Sequence, residues 1–137
     1  MKTMITTIAL LLVTLASYAQ SATHTLRVEV SNASTDKGAM VYALSTKADF
    51  GSPQPFKSAK VTIEDGKAIA MFENVPTGEY AIIALHDLNG NGKMDFENTG
   101  RPMEDYGTSS GTITYGPPNW EESKFELKKD HTVKIRL

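Results

Sequence analysis

Glu79-Tyr80-Ala81-Ile82-Ile83-Ala84-Leu85-His86 is apolar on both of its faces, and it runs directly into Asp87-Leu88-Asn89-Gly90-Asn91-Gly92-Lys93-Met94-Asp95. In an extended chain Tyr80, Ile82 and Ala84 share one face, while Ala81, Ile83 and Leu85 share the other. A strand of this kind must be covered on both sides. One cover is expected to be the core of a sandwich, and the other the long segment Leu88 to Trp120. That segment holds six of the ten glycines and three of the six prolines, with no convincing long strand of its own. Loops of this length are uncommon in compact domains and are usually functional or disordered. Met94, Phe96, Tyr106, Tyr115 and Trp120 supply apolar area for docking, so an ordered cover is expected rather than a disordered one.

Outward from this strand the chain reads as short strands separated by turn signals. Leu26, Val28 and Val30 alternate with Arg27 and Glu29, and Met40, Tyr42 and Leu44 repeat the spacing after Gly38. Val61 and Ile63 lead into Asp65-Gly66, a strong hairpin signal, and Lys67 to Glu73 is expected to return from it. Pro76-Thr77-Gly78 makes the next turn. Phe125 with Leu127, then Val133, Ile135 and Leu137, give two closing strands. A shorter loop, Ser45 to Ser58, carries Pro53 and Pro55 and is placed elsewhere on the rim. The expected fold is all-β: a single antiparallel immunoglobulin-like, or transthyretin-like, sandwich of about seven strands, with a long Gly/Pro-rich loop between the last strands.

Residues 1–19 are read apart from the domain. Lys2 gives a positive start, Ile8 to Val13 an apolar stretch, and Ser17-Tyr18-Ala19 a small-x-small cleavage site before Gln20. The apolar stretch is too short to span a bilayer comfortably, so a cleaved secretory signal is expected, with the cut after Ala19 and a periplasmic or extracellular destination. The mature chain is then 137 − 19 = 118 residues, enough for one domain with a real core, and its formal charge moves from −2 to −3. Scattered basic residues leave no footprint for nucleic acid and no polybasic membrane patch. The absence of cysteine excludes disulfides, thiolate metal sites and cysteine nucleophiles, so packing, with or without an ion, must hold the domain.

The run from Asp87 to Asp95 has the ligand rhythm of a calcium loop. Oxygen-bearing side chains stand at the first, third, fifth and ninth positions, with glycine at the sixth for the sharp turn. Asp87, Asn89, Asn91 and Asp95 would give side-chain oxygens and Lys93 its backbone carbonyl. Glu97, Asp105 or a carbonyl of the Gly100 turn would complete the shell. This is not an EF-hand: the twelfth position is Asn98 instead of glutamate, and the flanks read as strand and coil. With so few acids the affinity would be modest, on the order of 10⁻⁴ to 10⁻³ M. The competing reading is that Asn-Gly-Asn-Gly is a plain turn, because both residue types tolerate positive φ.

Catalytic signals are thin. His86 adjoins Asp87, but neighbours on a strand point to opposite faces, and neither Ser109 nor Ser110 sits in a nucleophile elbow. His24 and His131 lie on terminal strands, and the three histidines show no metal-ligand spacing. No catalytic residue is assigned. Gly116-Pro117-Pro118-Asn119-Trp120 offers either an apolar platform or a rigid corner in which Trp120 plugs the core edge, and the corner is preferred. Arg101, Glu104 and Tyr106 either line a cleft or form a local loop network.

Phe72-Glu73-Asn74-Val75-Pro76-Thr77-Gly78-Glu79-Tyr80-Ala81, followed by His86-Asp87 and the Asn-Gly loop, resembles the DUF2141 domain, an uncharacterised family of secreted bacterial proteins. Gly100 to Gly107 and Gly116 to Trp120 are similar to its later motifs, so the likeness covers nearly the whole mature chain. It implies one exported β-sandwich with the Asp87 loop as a shared feature, and no established activity. The Tyr80 region also resembles transthyretin-like and collagen-adhesin-B-type domains, which often serve as spacers or binding modules; fold likeness alone does not establish function. The expected role is a non-enzymatic module that binds a protein or small ligand of the cell envelope, with a calcium-braced loop. The alternatives are a metal-free structural spacer and, more remotely, a hydrolase using His86.

Overall fold

The computed structural model describes residues 21–113 and 115–137. The proposed leader, with its cut after Ala19, lies outside the described residues. Among the described residues the chain forms eight strands and one short helix: β1 Thr23–Val30, β2 Ala39–Ser45, β3 Lys57–Val61, β4 Ala68–Pro76, β5 Gly78–Asp87, β6 Tyr106–Thr108, α1 Trp120–Ser123, β7 Phe125–Leu127 and β8 His131–Ile135. One sheet has the order β4-β1-β8 and the other β3-β2-β5-β6, with β7 also on β5. The all-β, two-sheet architecture is therefore as expected from the sequence.

The core is where alternation predicts it. Leu26, Val28 and Val30 of β1, Ala70 and Phe72 of β4, and Val133 and Ile135 of β8 face Met40, Tyr42 and Leu44 of β2 with Tyr80, Ile82 and Ala84 of β5. Tyr42 is fully buried, and its hydroxyl donates across the interior to the Ala68 carbonyl at 2.8 Å. Burial pushes its phenol above the usual tyrosine range. The Tyr80 hydroxyl donates to Pro76 at 2.9 Å, pinning the point where the chain leaves one sheet for the other.

Three features depart from the expected pattern. β8 runs parallel to β1, with Leu26 opposite His131, so the sandwich is not wholly antiparallel. The Asp65-Gly66 turn forms, with φ of 51° and 74° and reciprocal bonds between Glu64 and Lys67 at 2.9 and 3.0 Å. It is not a hairpin between paired strands, however, because β3 pairs with β2 and β4 pairs with β1. The Asp36 carboxylate accepts from the amides of both turn residues, at 3.0 and 2.9 Å, and holds this corner. In β4 the register against β1 slips: His24 faces Val75 while Leu26 faces Phe72, so Glu73 and Asn74 share one opposing position. Asn74 takes the left-handed backbone at φ 55°, the extra residue resets the phase, and Phe72 and Val75 both point inward.

Both faces of β5 are covered. Ala81 is fully buried and Leu85 nearly so on the side away from the core. Two short strands share the far edge of β5, β6 opposite Ile83 to Leu85 and β7 opposite Gly78 to Tyr80. Ser109 bridges the gap between them: its hydroxyl accepts from the Ile82 amide at 2.9 Å and donates to the Ser123 carbonyl, and its amide donates to the Ile82 carbonyl at 3.0 Å. β6 can lie this close to the other sheet because of Gly107. A Cβ there would fall 2.1 Å from the Arg136 carbonyl oxygen.

The loop between β2 and β3 does not sit apart on the rim. Phe50 meets Trp120 edge to face at 5.5 Å, and Gly51 and Ser52 border the same outer cleft as the long cover. Trp120, the first residue of α1, is half-buried against Phe50 and is not part of the core, contrary to the plug expected at the core edge.

Candidate metal centre and the cleft beside it

β5 ends in two fully buried polar residues whose side chains take opposite faces. His86 lies on the inner face, where its Nε2 donates to the Lys37 carbonyl at 2.8 Å. Its Nδ1 is buried without a hydrogen-bond partner among the described residues. His24 is bonded to Thr77, and His131 lies against the Phe125 ring, so the three histidines stand apart. Ser109 is committed to the β5 edge and Ser110 to Thr108 and Thr112. These placements gather no nucleophile and base.

Asp87 lies on the outer face and organises the loop that follows it. Its Oδ1 accepts from the Gly90 amide at 2.9 Å and its Oδ2 from the Gly92 amide at 2.8 Å. Both glycines take positive φ, 78° and 77°, which turns their N–H groups back toward the carboxylate. Lys60 approaches from β3, its Nζ 4.0 Å from Asp87 Oδ2 and 3.5 Å from the Gly90 carbonyl oxygen. Gly38 makes room underneath: it has φ 73°, and a Cβ there would stand 2.1 Å from the Asp87 carbonyl oxygen.

The remaining loop side chains converge. Asn89 Oδ1 accepts from the Asn91 amide, and Asn91 Oδ1 from the Lys93 amide, each at 3.1 Å. Their Nδ2 atoms donate to the Asp95 carboxylate, from Asn89 at 2.6 Å and from Asn91 at 3.0 and 2.8 Å. Asn89, Asn91 and Asp95 thus meet side by side, with the Asp87 carboxylate bound to the same winding. Turning each amide about its own axis exchanges nitrogen for oxygen with no change of shape. That places two amide oxygens beside the Asp95 carboxylate, the donor type a hard cation takes, and gives up the two short-range bonds to the Asn91 and Lys93 amides. By donor type and proximity the residues present fit calcium. Among the described residues no three His, Cys, Asp or Glu side chains gather as a metal cluster, so the donor set is amide-rich.

The Lys93 amide donates to Asn91 Oδ1, which fixes the Gly92–Lys93 peptide unit on the same winding. Glu97 is engaged elsewhere. Its carboxylate accepts from Thr99, and its backbone closes a turn with Gly100 and Arg101 at 2.8 and 2.9 Å. Asp105 is likewise occupied away from the loop, with its carbonyl on the His86 amide at 2.9 Å and its carboxylate 3.4 Å from the Ser34 hydroxyl.

Glu104 is the acid that reaches the loop, a role that sequence reasoning missed. It is buried, with Oε1 accepting from the Leu88 amide at 2.9 Å and Oε2 from the Asp95 amide at 3.3 Å. It therefore clamps both ends of the loop at once, helped by the Met103 amide on the Asp95 carbonyl at 2.9 Å. The usable signal was an acid one residue before Asp105-Tyr106, where the chain returns to pair with β5. The pairing register needed to exploit it is not written in local periodicity.

Beyond the loop the cover leaves a cleft of about 480 Å³ over the outer sheet face. Val41, Ala43, Ile83 and Leu85 form its floor, and the roof includes Phe96 and Tyr106. The Tyr106 hydroxyl donates to the Gly116 carbonyl, tying the proline corner to β6. The Asp87 loop and the cleft are thus two parts of one cover.

Neither a curated protein nor a solved structure matches the chain. One family model does, and it spans most of the sequence, from the last residues of β1 through β8 and including the whole cover. Over residues 28–135 the match is to DUF2141, described as an uncharacterized protein conserved in bacteria, and the chain belongs to that family.

Proposed function

We propose that the protein is an exported, non-enzymatic binding module of the cell envelope whose cover is braced by calcium. The ion would be held by Asp87, Asn89, Asn91 and Asp95 with the Lys93 carbonyl, and it would supply charge neutralisation and rigidity, not chemistry on a substrate. The observation that carries this reading is the convergence of Asn89, Asn91 and Asp95 on the winding anchored by buried Asp87. Glu104 positions the loop through its two backbone bonds, so bracing the loop also holds the roof of the cleft.

The non-enzymatic part of the reading is supported by the separate engagements of His86, Ser109 and Ser110. Export is supported by the leader-like residues 1–19. No helix among the described residues is long and apolar enough to cross a membrane. The partner is a protein or small ligand of the envelope.

Thermal melting of the protein in calcium and in chelator, alongside Asp95→Asn, tests the brace. At tenfold excess over its dissociation constant an ion adds about 1.4 kcal/mol. A domain of this size loses roughly 0.25 kcal/mol per degree near its midpoint, so the midpoint should rise by about 6 °C. Asp95→Asn should abolish the rise. Identical melts in every condition would leave the metal-free spacer as the better account.

A further inference from the structure

We infer that the cleft between the outer sheet face and the cover takes an uncharged, hydrocarbon-rich small molecule, an inference that rests on reading the protein as a binding module. Its volume of about 480 Å³ falls in the range of roughly 300–1,000 Å³ typical of small-ligand sites. The floor is aliphatic apart from Ser45, and Ala43 is its smallest apolar residue, next to Val41 on the same face of β2 and opposite Ile83 of β5. The roof is aromatic and proline-rich, and Phe96 still leaves 59% of its surface exposed, apolar area that an occupant would cover.

Charge decides the ligand class. Among the described residues no acidic or basic side chain lines the cleft. Of the charges beside it, Asp87 is turned to the Gly90 and Gly92 amides, Asp95 to the Asn89 and Asn91 side chains and Glu97 to Thr99. Lys60 reaches from β3 toward the Gly90 carbonyl, and Lys93 and Arg101 adjoin lining residues without lining the cleft themselves. The Tyr106 hydroxyl is spent on Gly116, and Ser52 accepts from the Gln54 amide. An ionised group placed inside would lose its water without gaining a counter-charge. An alkyl or neutral acyl chain meets mostly apolar surface, interrupted by Ser45, Ser52 and Tyr106, and each added methylene should tighten binding roughly three- to fourfold until the cleft is filled.

The test uses the neutral fluorescent probe phenylnaphthylamine in calcium buffer, displaced by octanol, decanol, decanoate or decylammonium below their solubility limits. The inference expects saturable probe binding, with decanol displacing at least tenfold better than either charged decyl compound and better than octanol. Ala43→Phe, which fills the cleft from the floor, and Phe96→Ala, which removes an exposed part of the roof, should each weaken the probe about tenfold or more. Melting curves confirm folding, and the second variant serves if the first does not fold. Decanoate or decylammonium matching decanol would overturn the ligand class while leaving a binding module. Absence of saturable binding in a sample that still titrates with calcium would overturn the cleft as the site. Absence of both responses would overturn the binding-module reading itself.

Discussion

Replacing Glu104 by alanine removes a side chain that joins both ends of the Asp87 loop. The carboxylate is buried and accepts from Leu88 N–H at 2.9 Å and Asp95 N–H at 3.3 Å. A hydrogen bond to a charged group contributes about 1.5–3 kcal/mol when well made, and the longer bond to Asp95 belongs at or below the low end. Water reaches Leu88 and replaces part of what is lost, because that residue is partly exposed. The balance is a loss of about 2–4 kcal/mol for Glu104→Ala. Glu104→Gln keeps one acceptor but turns an amide N–H toward the other donor, so roughly half that loss is expected. At about 0.25 kcal/mol per degree, the alanine variant should melt about 8–16 °C lower. Thermal melting gives the magnitude, and hydrogen exchange gives the place: the Leu88 and Asp95 amides should lose protection first. An alanine variant melting within about 2 °C of the parent, with both amides still protected, would refute the clamp.

Two further outcomes follow from the core and from the floor of the loop. Tyr42 is held protonated by burial, so above about pH 10 the unfolded state gives up a proton that the folded state keeps. Stability should therefore fall as pH rises from about 10 toward the folded value; Tyr42→Phe should make that slope shallower in urea melts, leaving the part from Tyr80, also raised by burial, while losing about 1 kcal/mol for the bond to Ala68. Gly38→Ala forces alanine into φ 73° and against the Asp87 carbonyl at 2.1 Å. The backbone term alone is about 1–3 kcal/mol, and calcium affinity should fall with stability, as read by urea melts and calcium titration; unchanged values for both would show that Gly38 does not position the loop.

Much of this fold is legible because burial leaves its period in the chain. β1 and β2 alternate as their two faces require, whereas β5 is apolar on both faces and calls for a second cover on its outer face. The tight winding of the Asp87 loop is legible for a related reason, since Asn-Gly-Asn-Gly supplies glycine where φ is positive and side-chain oxygens that accept from nearby amides. What stays hidden is long-range. The Asp65-Gly66 dipeptide specifies a tight turn, but nothing local tells whether its flanking strands pair or part into different sheets. The parallel approach of β8 to β1 depends on where the chain crosses between sheets, and the slip at Asn74 depends on the partner strand. Glu104 was hidden because its role follows from the return of β6 to β5, and Trp120 because its contact Phe50 lies in a distant loop.

Calorimetric titration of calcium into the protein tests the brace most directly, with Asp95→Asn and magnesium as controls. The account predicts one calcium per chain, a dissociation constant on the order of 10⁻⁴ to 10⁻³ M, weaker magnesium binding, and loss of the heat in Asp95→Asn. No saturable heat up to about tenfold above that range, from a parent protein that is folded, would contradict it.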